Sequence, residues 1–182
     1  WMLATALPEI APAGELAQPG VLLEYQGLAV LRTGNRYASL ECGILGGGHG
    51  HPDRLHLTLH AGGVHCLPDP AAGRYVTRDL FWYRSTLAHN APRLNGDTQP
   101  SGHASCECFD VQEDWGWVRG RFGSLNRMVA AGPSYIVDIT DQAGREDHLL
   151  ELAWHIAGRG SVETPGHWVS DELADEFVTR VQ

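Results

Sequence analysis

Five of the ten histidines fall between positions 49 and 65, and they are densest in Gly46-Gly47-Gly48-His49-Gly50-His51-Pro52-Asp53. An imidazole titrates near neutrality, so it can take up or release a proton, and in its neutral form it binds divalent metals. Three glycines before His49 free the backbone to adopt positive φ and to approach a ligand closely. Two further segments have the same character. Leu67-Pro68-Asp69-Pro70 sets a carboxylate between prolines, and Ser85-Thr86-Leu87-Ala88-His89-Asn90 sets an imidazole beside an amide. Were these loops to meet, His51, Asp69 and His89 would offer two nitrogens and a carboxylate oxygen, a set suited to Zn²⁺. Their separations of 18 and 20 residues do not enforce that meeting. Separate turn-stabilising roles remain the competing reading.

The elements that would have to position these groups read as short strands. Val21–Tyr25, Leu28–Thr33 and Arg36–Cys42 alternate with turn residues, and Gly34-Asn35 marks a tight hairpin. Leu55–His60 alternates strictly, sending Leu55, Leu57 and Leu59 to one face and His56, Thr58 and His60 to the other, and Gly62-Gly63 turns it into Val64–Leu67. Strand character returns at Ser105–Gln112, Trp115–Phe122, Arg127–Ala131, Tyr135–Thr140 and His148–Ile156. Serial short strands of this kind predict an all-β fold, an antiparallel β-sandwich. Residues 1–20, with three prolines, read as a leading segment or linker, and residues 21–182 as the domain. Asp171–Val181 is compatible with a short helix or an edge strand.

Composition narrows the function. The 182 residues suit one domain of ordinary size. The net charge of −9, with thirteen arginines and no lysine, argues against a general nucleic-acid binder. Residues 32–93 are nevertheless locally basic, with seven arginines against Glu41, Asp53, Asp69 and Asp79, so this stretch could face an anionic ligand such as a sugar acid. No stretch approaches the roughly 20 apolar residues that span a bilayer. Cys42, Cys66, Cys106 and Cys108 lack zinc-knuckle or C-x-x-C spacing; buried free thiols, a disulfide and a thiolate metal site all stay open. The tryptophans, Trp82, Trp115 and Trp117 among them, are expected in the core, as is His155 in its apolar strand.

The Gly46–Asp53 run, the Leu55–Ala61 strand, Asp69-Pro70 with Gly73-Arg74-Tyr75, and Arg84–Asn90 with Asn95-Gly96 and Gln99 occur in one order over residues 43–100. Together they resemble the C-terminal domain of heparinase II/III-like polysaccharide lyases. The resemblance implies a supersandwich-like β-sandwich, a piece of a longer chain in which an N-terminal α/α toroid comes first and the substrate cleft lies between the two. It implies that His49 is catalytic and that His51, Asp69 and His89 bind a structural Zn²⁺. It implies an acidic polysaccharide as partner, β-elimination at a uronic acid, and a periplasmic or extracellular setting. In the family, the catalytic Tyr and the residue that neutralises the substrate carboxylate come from the toroid, so the fragment alone is expected to be inactive. Within this chain Arg74 and Arg84 are candidates for contacting a sugar carboxylate, and Tyr75 is expected to pack near the cleft. A domain that binds carbohydrate or only supports its neighbour, keeping the zinc without turnover, is the alternative.

Overall fold

The computed structural model describes residues 20–45, 49–144 and 147–157. Most of residues 1–20, the Gly46–Gly48 run and the Asp171–Val181 segment lie outside them. Three antiparallel sheets account for the strands. The first has the order β1 (Gly20–Leu23), β2 (Leu28–Thr33), β3 (Arg36–Glu41), β4 (Leu57–Ala61) and β5 (Val64–Leu67). The second has the order β10 (Ile136–Gln142), β9 (Leu125–Ala131), β8 (Gly116–Phe122) and β7 (Ser105–Val111). A two-stranded sheet pairs β6 (Pro92–Leu94) with β11 (Leu150–Leu152). Helix is confined to short pieces such as one turn, α1 (Leu80–Tyr83), and a 3₁₀ turn at Thr86–Ala88.

Alternation explains the layering. Ala29 and Leu31 on β2, Ala38 and Leu40 on β3 and Leu57 on β4 meet Val118 and Phe122 on β8 and Leu125, Val129 and Ala131 on β9, all buried in one core. Gly62 and Gly63 both take positive φ, +58° and +80°, the conformation a two-residue hairpin needs between β4 and β5.

Several boundaries differ from the sequence expectation, each for a physical reason. Leu55 does not begin β4. It is buried in a left-handed turn at φ +65°, where its N–H donates to the Glu41 carbonyl at 2.8 Å and its own carbonyl accepts from Arg127. His148–Ile156 contributes only three strand residues, because its partner β6 is itself three residues long. Trp115 is 43% exposed, not in the core, and Trp82 and His155 are partly exposed and meet edge to face with ring centroids 6.1 Å apart. All four cysteines are free thiols.

The decisive non-apolar feature of the interior is Arg127. Its guanidinium is fully buried and pairs bidentately with Asp138 on the neighbouring strand, at 2.9 and 2.6 Å. The remaining nitrogen donates to the carbonyls of Leu55 and Asn90, at 2.9 and 2.6 Å. Breaking such a pair strands a charge in a dry interior. Asp138→Ala is expected to cost about 3–5 kcal/mol in urea unfolding at neutral pH; a loss below about 1 kcal/mol would contradict the assignment.

Candidate functional site

The site sits where three loops are pulled together over the start of β4. Thr86, fully buried, donates from its hydroxyl to the Pro52 carbonyl at 2.6 Å and accepts the Gln99 N–H at 2.8 Å. Gln99 in turn exchanges side-chain hydrogen bonds with the Arg54 backbone, at 2.8 and 3.0 Å. Asn90, equally buried, donates from its amide to the Pro68 carbonyl at 2.9 Å, which brings the Asp69 loop alongside. Arg127 holds the Leu55 and Asn90 carbonyls from beneath.

These bonds make His89 a hub. Its ring is fully buried, and Nε2–H donates to the Tyr83 carbonyl at 3.0 Å; a carbonyl can only accept, so that nitrogen carries a proton in every state. Nδ1 faces Asp69 Oδ1 at 3.2 Å and Asp53 Oδ2 at 4.0 Å, and the His51 ring lies 5.2 Å away. Burial lowers the His89 pKa, but the Asp69 hydrogen bond, the Asp53 charge and the Tyr83 carbonyl outweigh it and raise it above its ordinary value. Burial raises Asp69, and the bond from His89, the His56 charge and the Ala71 N–H reverse this, holding it at about 2. His51 is lowered, first by burial and then by the charge of His89. A proton on Nδ1 of His89 thus occupies the place where a metal would sit, and binding a metal there displaces it.

Two sets of side chains gather ligand atoms within 4.8 Å of one another: His51, Asp53 and His89, and His56, Asp69 and His89. The hydrogen bonds disqualify His56. Its Nδ1 accepts the Asn90 N–H at 3.1 Å, which places the ring proton on Nε2 towards Thr58 Oγ1 at 3.2 Å. With both nitrogens engaged, His56 shapes the site and leaves His51, Asp53, Asp69 and His89 as donors. Two imidazoles and carboxylate oxygens fit the donor chemistry of zinc. Of the sequence-derived trio, His51 and Asp69 each share a set with His89, but not the same set: His51 stands with Asp53, and Asp69 with His56. Asp53 was missed as a donor although it stands two residues after His51. Its other oxygen binds Arg54 at 2.6 Å, and Arg54 also binds Glu41 at 2.5 Å, so the excess negative charge is partly balanced.

His49 lies outside this cluster. Its Nδ1 is 2.6 Å from the Tyr75 hydroxyl, with the rings edge to face. Tyr75 does not pack: it is 62% exposed. A cavity of about 370 Å³ is lined by Gly50, Pro52, Arg54, Arg84, Gln99 and Ser101 among others, with neither His49 nor Tyr75 in its wall. Arg84 stands at its edge, and its charge also lowers His51. Arg74 is exposed beside Tyr75. The His49–Tyr75 partnership, across 26 residues, had no signal in the spacing.

Comparison with known proteins follows the same outline. The family model described as heparinase II/III-like, C-terminal, matches residues 17–155. This chain belongs to that family. Among solved structures it is similar to heparan sulfate lyase HepC from Pedobacter heparinus, with a TM-score of 0.68 and 17% identity over 77% of this chain and 24% of that one. It is also similar to a heparinase III, with a TM-score of 0.64 and 16% identity over 76% of this chain and 24% of that one. No curated protein matches. The chain spans about a quarter of the length of these structures. The all-β, antiparallel expectation is thereby met: this is a heparinase II/III-like C-terminal β-sandwich domain. No helix among the described residues is long and apolar enough to cross a membrane.

For this heparinase-like domain, the buried neutral His56 gives a pH test. Burial depresses its pKa from 6.5 to about 4. The unfolded chain then binds the proton first as pH falls, so stability is lost between pH 6.5 and 4. The loss between pH 7 and pH 4.5 that is attributable to this residue is about 2 kcal/mol. Urea unfolding of wild type and His56→Gln at both pH values should show a smaller drop in the variant; identical drops would contradict the assignment.

Proposed function

We propose that this domain is the C-terminal part of a polysaccharide lyase that cleaves uronic-acid-containing polysaccharide by β-elimination. The carrying observation is the exposed His49–Tyr75 pair, joined at 2.6 Å, whose His49 stands in the same loop as His51 of the donor set, with a separate cavity lined by Gly50 and Arg84. In β-elimination a base removes the proton on the carbon beside the carboxylate, the bond to the glycosidic oxygen breaks, and a double bond forms. That proton is weakly acidic, so the carboxylate must be neutralised and a base held within reach.

His49 serves one of these tasks: its exposed ring, held at Nδ1 by the Tyr75 hydroxyl, leaves Nε2 to hydrogen-bond the carboxylate or to take the proton. The family's catalytic Tyr and carboxylate-neutralising residue would complete the site from the toroid. Arg74 and Arg84 add positive charge for the acidic chain. His51, Asp69 and His89, with Asp53 beside them, would hold zinc, which supplies a fixed divalent charge that locks the loops on either side of His49. Remaining contacts to substrate come from the N-terminal toroid of the longer protein, in a periplasmic or extracellular setting. The relatives whose described activity is on heparan sulfate support an acidic polysaccharide as the substrate class.

Elemental analysis should give about one zinc per chain, lost in His51→Ala and retained in His49→Ala; equal loss in both would sink the division of roles. The full-length protein should release an ultraviolet-absorbing unsaturated product from a uronic-acid polymer. His49→Ala should lower that rate by at least about 100-fold, within the range general acid–base groups contribute, and Tyr75→Phe, which only loosens the His49 ring, should lower it by less. Zinc retention without absorbance on alginate, heparin-like and hyaluronan-like polymers would favour a domain that binds or supports without cleaving.

A further inference from the structure

We propose that Cys42 and Cys106 form a modification site, a dithiol that a disulfide-bearing oxidant converts to a single disulfide tying the root of the His49 loop to the second sheet. The inference does not depend on lyase activity. Cys42 follows β3 and is 3% exposed, and its Cβ stands 3.1 Å from the position a Cβ on Gly120 would occupy. Gly120 on β8 is the direct cross-strand partner of Cys106 on β7. The missing side chain at Gly120 is thus what lets Cys42 lie on the second sheet one strand from Cys106. Cross-strand partners hold their Cβ atoms about 5 Å apart, and the Cys42 and Cys106 side chains both belong to the same packed cluster. The backbones are joined at the same level, since the Ala104 N–H donates to the Gly43 carbonyl at 2.8 Å.

The other cysteines are placed differently. Cys106 packs against the same core cluster that contains Cys42, whereas Cys108, beyond a break in the β7–β8 register, is exposed. Cys66 lies on β5 in the first sheet.

The exchange balances. The Cys106 thiolate, on the more accessible residue, attacks one sulfur of the oxidant's disulfide and releases a thiolate. The Cys42 thiolate then attacks the Cys106 sulfur of this mixed disulfide and releases the second. Two thiol protons pass to the two released thiolates; the protein loses two electrons and the oxidant becomes two thiols. Burial raises both cysteine pKa values, that of Cys42 to about 12, so exchange is slow at neutral pH and accelerates as pH rises.

The test treats the reduced full-length protein with oxidised glutathione at pH 8.5, then alkylates under denaturing conditions and maps the peptides. Cys42 and Cys106 are expected to lose their alkylation and to appear in one cross-linked peptide. The thermal midpoint should rise by on the order of 5–10 °C, as closing a loop of this length constrains the unfolded chain. Cys106→Ala and Cys42→Ala should each show neither the cross-link nor the rise. Alkylation at both residues after prolonged oxidation, or a cross-link that joins Cys106 to Cys108 instead, would overturn the assignment.

Discussion

A fully buried guanidinium is costly unless its charge is paired and its nitrogens are hydrogen-bonded, and in this domain the way Arg127 is met organises the site. Two nitrogens take the Asp138 carboxylate, and the third takes two carbonyls from chain segments 35 residues apart, Leu55 and Asn90. The second sheet thereby grips both ends of the loops that carry Asp53 and His89. Leu55 shows the strain this imposes: a buried, non-glycine residue held at φ +65°, in a region that costs of order 1–3 kcal/mol and persists only where surroundings over-determine it.

Above that clamp, buried polar side chains do the remaining alignment. Thr86, Asn90 and Gln99 each join two loops by hydrogen bonds whose partners are backbone groups that cannot shift without the chain. His89 is then fixed at both nitrogens, and His51, Asp53 and Asp69 surround the one that can hold either a proton or a metal. Burial separates the two imidazoles: His89 is fixed in the interior by the loops around it, and His49 stays exposed with its Nδ1 against the Tyr75 hydroxyl.

Much of the fold was legible because its signals are local. Leu57 and Leu59 alternate with Thr58 and His60, and Gly62-Gly63 supplies the positive φ of the hairpin, so β4 and β5 could be read directly. Leu55 was assigned to the same strand because its pattern fits; the turn that removes it is imposed by Glu41 and Arg127, both distant in sequence. Arg127 itself gives no sign of burial, since an arginine in a strand ordinarily faces water. For the site, residue types and the family resemblance singled out His51, Asp69 and His89, but only the folded geometry sets Asp53 beside His51 and His89, engages both nitrogens of His56 and places Tyr75 on His49.

The central claim is that distant loops build one nitrogen-and-oxygen metal site around His89. X-ray absorption at the zinc edge on zinc-loaded protein tests it most directly. A first shell of nitrogen and oxygen at about 2.0–2.1 Å, with the outer-shell scattering of two imidazoles, is expected. Sulfur scattering at about 2.3 Å, or an all-oxygen shell without imidazole, would contradict it.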